Sequence, residues 1–142
     1  MPDPSAAQPP PGGSKPPRQS QRLLKWKSRQ AEEAVANHLR QRGYQIVARN
    51  WRHYLGELDI IARADDTLVI VEVKARHASE EGTGLASIDA RKRNRLMLLA
   101  QAFTTAAQLR HLQLRFDVAE VELDKAGFVR DIRYLEDAFQ QT

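Results

Sequence analysis

The sequence predicts a mixed α/β domain in which helices pack on a sheet. Its periodic segments come in the order helix, three strands, helix and one or two strands, and this order is typical of a sheet layered with helices. The two central runs, GELDIIAR (56–63) and TLVIVEVKAR (67–76), are apolar over most of both faces. A strand of that kind indicates a sheet that is covered on both sides.

Length and composition divide the chain into two parts. The chain has 142 residues, which suits one domain. All 7 prolines fall within the first 17 residues, where few apolar side chains could offset the entropy of ordering. We therefore expect residues 1–20 to form a disordered tail and residues 21–142 to form the domain. No segment has the roughly 18 apolar residues of a membrane span or the apolar core of a signal peptide, so no membrane partner is expected.

The charged and reactive residues exclude several classes of site and favour one class of partner. The chain has no cysteine, which excludes disulfides, thiolate metal sites and cysteine nucleophiles and fits a cytoplasmic location. A net charge of +4 and a pI near 9.7 favour an anionic partner. The sequence contains no G-x-x-x-x-G-K-[ST] loop for nucleotide triphosphates and no H-E-x-x-H metal motif.

The first elements are one helix and three strands. A helix is predicted over residues 28–42, because apolar side chains recur there at helical spacing and a glycine follows. Its inward positions are Ala31, Ala34, Val35, His38 and Leu39. QIVARNW, residues 45–51, is predicted to be a short strand with Trp51 in the core, and the strands 56–63 and 67–76 follow.

The second half is predicted to contain a longer helix and one or two strands. After a loop with two glycines, the helix runs from Leu85 to about Leu109. Its apolar side consists of Ile88, Leu96, Leu99, Ala100 and Phe103. Residues 112–123 are predicted to be a strand, residues 127–135 a further strand, and residues 136–140 a terminal helical turn.

The turn at residues 65–66 predicts how the two central strands pair. A two-residue turn and a centred four-residue loop give the same register, in which Asp59 lies opposite Glu72 and Glu57 lies opposite Lys74. The other face is then apolar throughout and is predicted to be core. On that face, the opposed pairs are Leu58 and Val73, Ile60 and Val71, and Ala62 and Val69.

The charges within these apolar runs predict a site. Directly opposed carboxylates lie about 5 Å apart at Cβ and repel each other, so a compensating cation is expected near Asp59 and Glu72. Mg²⁺ or Mn²⁺ accepts such oxygen ligands, and Lys74 could orient a water molecule or stabilise phosphoryl charge. The alternative is an ion-paired patch in which Lys74 and Arg63 neutralise the two carboxylates without a metal.

A glutamate on the first helix could extend this cluster. Seven helical residues turn through about 700°, so Glu32 lies within about 20° of Leu39, on the inward edge of the helix. Glu32 could therefore join the carboxylates of the sheet. The alternative, equally open from spacing, is an exposed residue at the boundary of the helix face.

These residues carry a family resemblance. A helix glutamate, an aspartate and then Glu-x-Lys 13 residues after the aspartate resemble the PD-(D/E)xK nuclease superfamily. The segments AEEAVANHL, RGYQIVARNWR, GELDIIA, VIVEVKAR and RFDVAEVE are similar to the YraN family. This bacterial group has a restriction-endonuclease-like fold and is related to archaeal Holliday-junction resolvases. The resemblance covers about residues 28–140.

The resemblance implies a fold and a chemistry. The fold is a three-layer α/β/α restriction-endonuclease-like architecture with a mixed central sheet, and the activity is that of a nuclease dependent on Mg²⁺ or Mn²⁺. Asp59, Glu72 and Glu32 match the metal-site carboxylates. Lys74 matches the catalytic lysine and acts with the first two of them. The usual glycine before the helix glutamate is Ala31 here.

Basic residues beside this pattern suggest contacts with phosphates. Lys92 and Arg95 share a face of the second predicted helix, and Arg49 and Arg52 lead into the central hairpin. Simple solvation of these side chains is the alternative. The expected partner is nucleic acid, DNA rather than RNA, and a homodimer is an open possibility because related junction enzymes are dimers. A non-catalytic binding module and an assembly factor remain rival functions.

Overall fold

The computed structural model describes residues 18–77 and 88–140, with side chains of the first helix from Arg29 onward. The elements are α1 (Arg18–Gln41), β1 (Gln45–His53), β2 (Gly56–Ala64), β3 (Thr67–His77), α2 (Ala90–Ala106), β4 (Gln113–Leu123) and β5 (Val129–Phe139). The strands form one sheet in the order β1-β2-β3-β4-β5, parallel between β3 and β4 and antiparallel elsewhere. Most of the predicted tail lies outside the described residues.

The two helices cover opposite faces of the sheet. One buried cluster joins α1 to β2, β3 and β4 and contains Ala31, Val35, Ala36, Leu39, Ile60, Ala62, Val69, Val71, Ala119, Val121 and Leu123. The other joins α2 to the opposite face and contains Leu58, Ile61, Leu68, Ile70, Ile88, Leu96, Leu99, Ala100, Phe103, Leu112, Phe116, Val118 and Phe139. The predicted three-layer α/β/α architecture with a mixed sheet is therefore confirmed.

Helix α1 starts earlier than its apolar periodicity predicts. It begins at Arg18, ten residues before the predicted start, because Arg, Gln, Leu and Lys in this segment are good helix formers without a periodic apolar face. Its end is the predicted one. Gly43 has φ 84°, a left-handed conformation that glycine adopts without strain, and its N–H donates to the carbonyl of Arg40 at 3.0 Å.

Helix α2 begins at Ala90 and ends at Ala106, within the predicted span, and residues 85–87 of that span lie outside the described residues. The Asp89 carboxylate accepts a hydrogen bond from the backbone N–H of Lys92 at 2.8 Å and caps the helix start at Ala90. Gln108 has φ 58°, and this left-handed residue prevents the helix from continuing past Ala106. The helix lies between β3 and β4 in the chain and supplies the crossover that a parallel pair requires.

The predicted helical turn at residues 136–140 is wrong, because β5 continues through Phe139. Phe139 pairs with Phe116 of β4, and their stacked rings have centroids 4.9 Å apart. A bulge precedes this pair. In it Asp137 has φ 54°, and its N–H donates to Asp117 Oδ1 at 2.8 Å. These contacts with a strand 20 residues away determine the conformation of the segment, and its local sequence does not contain them.

Within the part of the chain that the structure describes, no helix has the length and hydropathy to cross a membrane.

Candidate active site

The central hairpin has the predicted register. Ala64 pairs with Thr67 across a two-residue turn, and Ile61 pairs with Ile70. Asp65 in the turn has φ 55°, a conformation that aspartate tolerates better than most residues. The β2–β3 ladder runs from this turn to the pair of Ile60 with Val71. The predicted register therefore holds from the turn up to Ile60 and Val71, next to the charged residues.

Strand β2 changes its orientation just before that end. Leu58 and Ile61 both belong to the cluster under α2, whereas Ile60 belongs to the cluster under α1. Strict alternation would place Leu58 with Ile60, so the prediction that these two share a face is wrong. Strand β1 bends at the same level, because Asn50 has φ 52° and the following Trp51, the partner of Leu58, packs under α2.

This bend changes the role of the Asp59 side chain. Its Oδ2 accepts a hydrogen bond from the backbone N–H of Val73 at 2.9 Å. The carboxylate thus takes a bond from the neighbouring strand beyond the last ladder pair, and Asp59 and Glu72 are not the directly opposed pair that was predicted. Among the described residues, the β2–β3 ladder also stops before the expected pair of Glu57 with Lys74. The aspartate is instead held in one orientation by the backbone of β3.

The Asp59 carboxylate nevertheless interacts with the other predicted carboxylates. Burial raises the pKa of Asp59 most, and the negative charge of Glu72 is the second cause. The hydrogen bond from Val73 opposes the rise, Glu32 and Glu57 add to it, and the resulting pKa is about 7. The aspartate therefore lies in the field of acidic groups from α1, β2 and β3.

Glu32 belongs to this cluster and is not an exposed boundary residue. It is buried on α1, and burial raises its pKa above the usual value. A hydrogen bond with the Asn50 side chain and the positive charge of Arg49 oppose that rise, and Glu57 strengthens it. The bend in β1 that moves Trp51 thus also brings Asn50 against the helix carboxylate.

A lysine compensates part of this negative charge. Lys92 Nζ on α2 lies 2.8 Å from Glu72 Oε1, and the glutamate is buried. Lys92 was predicted to contact phosphates, whereas the structure directs its ammonium group into the acidic cluster. Within residues 18–77 and 88–140, no three acidic or histidine side chains already stand close enough to hold a metal ion.

A further carboxylate lies beside Lys74 and was missed from the sequence. In the parallel β3–β4 register, Lys74 is the partner of Glu120, which is buried. Arg76 Nε lies 2.8 Å from Glu120 Oε1, but neither glutamate oxygen receives an aligned hydrogen bond among the described residues. The signal was available, because Glu120 interrupts an apolar run in β4 just as Glu72 does in β3.

The predicted basic residues fall into two groups. Arg49 Nη1 lies 2.7 Å from Glu33 Oε2, so this arginine is engaged with α1. It also lies in the field of Glu32. Arg52 and Arg95 are exposed and remain candidates for phosphate contacts. Two of the four predicted phosphate-binding residues, Arg49 and Lys92, are thus paired with glutamates.

A known protein family covers the part of the chain that contains these residues. The family model described as "Uncharacterised protein family UPF0102" matches residues 31–121. The chain belongs to the UPF0102 family. This is the YraN family that the sequence resembles. The matched region includes every predicted carboxylate, Lys74 and the buried Glu120.

Several UPF0102 relatives match most of the chain. A UPF0102 protein of Pelotomaculum thermopropionicum is 40% identical over 111 residues, covering 78% of this chain and 92% of the relative. One from Pseudomonas aeruginosa is 40% identical over 114 residues, covering 80% and 91%. One from Clostridium acetobutylicum is 35% identical over 119 residues, covering 84% and 98%.

A second buried network in this UPF0102 chain lies near the α1 face. Asp117 accepts two hydrogen bonds from Arg115, at 3.0 and 2.9 Å, and one from the hydroxyl of Tyr134. Arg115 also donates to the Tyr44 hydroxyl at 2.7 Å. With the backbone bond from Asp137 described above, these contacts hold β4, β5 and the start of β1 together. The network is structural and separate from the acidic cluster.

Proposed function

We propose that this UPF0102 family member is a metal-dependent nuclease that hydrolyses phosphodiester bonds of nucleic acid, DNA in preference to RNA, in the cytoplasm. One observation carries the proposal: the Asp59 carboxylate, held by the Val73 N–H, has its pKa raised to about 7 by burial and by the negative charge of Glu72. Functional sites accumulate strongly shifted groups of this kind.

The side chains of the cluster fit a hard divalent cation. Asp59 and Glu72 would hold Mg²⁺ or Mn²⁺, with Glu32 assisting directly or through water, because such ions prefer carboxylate oxygens. When bound, the ion would supply positive charge to the phosphate oxygens during hydrolysis. Lys92 already places a cationic group on Glu72. Binding therefore exchanges one cation for another at this carboxylate.

The residues of the chain have separate tasks in this proposal. The N–H of Val73 fixes the Asp59 carboxylate, which removes the need to order it when the ion binds. Lys74 lies two residues after Glu72 on β3, and period-two alternation places both on the same face. Its ammonium group would orient the attacking water and stabilise negative charge that develops on the phosphate.

A non-catalytic nucleic-acid-binding module is the second candidate. The ion pair between Lys92 and Glu72 favours it, because this pair neutralises part of the cluster without a metal. The two functions differ in what happens to the substrate. A binding module retains nucleic acid intact in the presence of Mg²⁺ or Mn²⁺, whereas the nuclease shortens it.

A cleavage panel tests the proposed function. Linear duplex, single-stranded and four-way-junction DNA, with matching RNA substrates, are incubated with Mg²⁺, Mn²⁺ or EDTA. We expect cleavage of at least one substrate with metal and none with EDTA, and we expect Lys74→Ala to reduce the rate by about 100-fold or more. Cleavage that survives EDTA would contradict a metal mechanism.

The same lysine separates a catalytic role from a structural one. If Lys74 acts on the substrate, Lys74→Ala should unfold near the wild-type temperature and keep its stabilisation by Mn²⁺. If instead the lysine mainly neutralises buried carboxylates, its loss should cost on the order of 3 to 5 kcal/mol of unfolding free energy. Urea unfolding of both proteins, with and without Mn²⁺, distinguishes these results.

Lys92→Ala is expected to strengthen metal binding. The ammonium group of Lys92 competes with an added cation for Glu72 Oε1, so its removal should increase the rise in melting temperature that a given Mn²⁺ concentration produces. Arg91→Ala is the matched control, because Arg91 is an exposed cation on the same turn of α2. An equal Mn²⁺ response in Lys92→Ala and wild type would contradict the exchange at Glu72.

Nucleic-acid binding is expected to weaken with salt. Each phosphate that a cationic side chain neutralises on duplex DNA contributes about −0.9 to the slope of log K against log salt. Arg52 and Arg95 are exposed, so replacing both with alanine should make the slope less steep by up to about 1.8. Anisotropy titrations at several salt concentrations measure it. An unchanged slope would show that other residues contact the phosphates.

A further inference from the structure

Three aromatic side chains run from the core to the tip of the β1–β2 hairpin. The Trp51 ring packs edge-on against Phe103 of α2, with centroids 5.4 Å apart. On its other side, Trp51 stacks with His53 at 5.6 Å, and His53 lies 4.3 Å from the Tyr54 ring. The series is thus anchored in the α2 cluster at one end and reaches solvent at the other.

The outer end of the series is exposed, and its ring rests against a histidine that supports the turn. Tyr54 has a relative exposure of 81%. The His53 ring supports the turn, because its Nδ1 accepts a hydrogen bond from the backbone N–H of Leu55 at 3.2 Å. A fixed, exposed aromatic ring loses little conformational freedom when a flat ligand stacks on it.

Positive charge flanks the tip. Arg52 precedes the aromatic pair and is exposed. Arg95 reaches the same tip from α2, and its Cδ would lie 3.3 Å from a Cβ placed on Gly56. Its guanidinium group is therefore attached to a stem that packs against the hairpin. This combination of a ring and two cations complements a nucleobase attached to phosphates.

The distance from the tip of the hairpin to the acidic cluster corresponds to the length of a few nucleotides. Gly56 precedes Asp59 by three residues on β2. At the rise of a strand, this separation is about 10 Å, and stacked nucleotides advance by about 3.4 Å each. A strand bound at the tip would therefore need to extend by about three nucleotides along β2 to bring a phosphate to the carboxylates.

We propose that Tyr54, backed by His53 and Trp51, is a stacking platform for an unpaired nucleobase of a DNA strand. The proposal takes its partner from the function proposed above and adds the substrate feature that the tip selects. A base within a duplex is stacked on both faces, so it cannot cover Tyr54. The platform favours single-stranded segments, frayed ends and the open centres of branched DNA.

Binding in EDTA tests the platform without cleavage. Anisotropy is measured with an oligothymidylate of about 20 nucleotides and with an abasic strand of equal length, which keeps the phosphates and lacks the bases. We expect Tyr54→Ala to weaken oligothymidylate binding by about 5- to 100-fold and to leave abasic binding unchanged. Tyr54→Phe should bind both strands like the wild type, because it retains the ring.

A matched control and a second assay separate the explanations. Phe128 is 57% exposed at the β4–β5 turn, at the other edge of the sheet, and Phe128→Ala should bind like the wild type. An equal loss of oligothymidylate and abasic binding in Tyr54→Ala, or no loss, would overturn the platform. So would a Tyr54-dependent dimer in sedimentation experiments with unchanged DNA affinity. Oligouridylate is the RNA arm, and tighter binding to it than to oligothymidylate would overturn the choice of DNA.

The platform and the nuclease activity fail in different ways. If the wild-type protein cleaves no substrate but binds oligothymidylate through Tyr54, the result supports the platform and contradicts the nuclease activity. If the wild-type protein cleaves DNA through Asp59 and Tyr54→Ala leaves single-strand binding unchanged, only the platform is overturned.

Discussion

Asp59→Asn is expected to abolish metal-dependent cleavage and yet to leave the metal-free protein at least as stable as the wild type at about pH 8. Asparagine retains an oxygen that can accept the Val73 N–H but removes a negative charge beside Glu72. We expect the cleavage rate to fall by at least about 100-fold. The stability gain is on the order of 1 to 3 kcal/mol, because the aspartate must be ionised there against burial and a like charge.

The pH dependence of this difference has a definite sign. The folded-state pKa of Asp59 is about 7, above that of an unfolded aspartate, so the folded protein holds the proton more tightly. The wild type therefore loses stability relative to Asp59→Asn as pH rises from about 4 to about 7, and the difference is constant above that range. Urea unfolding at several pH values measures it, with exposed Asp131→Asn as the control.

Added metal should offset most or all of this difference in stability. Mn²⁺ at about 100 times its dissociation constant would stabilise the wild type by about 2.7 kcal/mol, because it binds only the folded state. Asp59→Asn should respond much less. An equal Mn²⁺ response in both proteins, or a strongly destabilised variant without metal, would show that Asp59 is a structural group and not a metal ligand.

Asp117→Asn is expected to be among the most destabilising single substitutions, at on the order of 3 to 5 kcal/mol of unfolding free energy. Asp117 is 1% exposed and pairs with Arg115 through both carboxylate oxygens. The neutral amide leaves the guanidinium group without its buried counter-charge, and its NH₂ group places a donor where the carboxylate oxygen accepted hydrogen bonds. Tyr134 also loses its charged hydrogen-bond acceptor. Equilibrium urea unfolding measures the change.

Glu136→Gln is the matched control for that experiment. Glu136 pairs with the same Arg115 at 2.8 Å, but its side chain is 60% exposed. Exposed ion pairs contribute about 0 to 1 kcal/mol, so this variant should unfold close to the wild type. Similar losses in the two variants would show that the total charge around Arg115 matters and that the burial of Asp117 does not.

Local patterns in the sequence determined most of the architecture. Period-two alternation in β2 and β3 and the turn at residues 65–66 were sufficient for the hairpin register, because one slip would move every apolar side chain to the wrong face. Helical spacing identified both helices, and the apolar residues on both faces of the two central strands predicted a sheet covered on two sides. Asp59, Glu72 and Lys74 identified the candidate site, because they interrupt strand segments that are otherwise apolar.

Only the tertiary structure decided the arrangement inside that site. Local sequence patterns do not show that Asp59 accepts the N–H of Val73 or that Lys92 reaches Glu72 from α2. They also do not show that β5 extends to pair with β4. Each depends on contacts between segments that are distant in the chain. Alternation and helical spacing are short-range properties that report which face a residue occupies. How the helices pack on the sheet decides which group contacts the residue on that face.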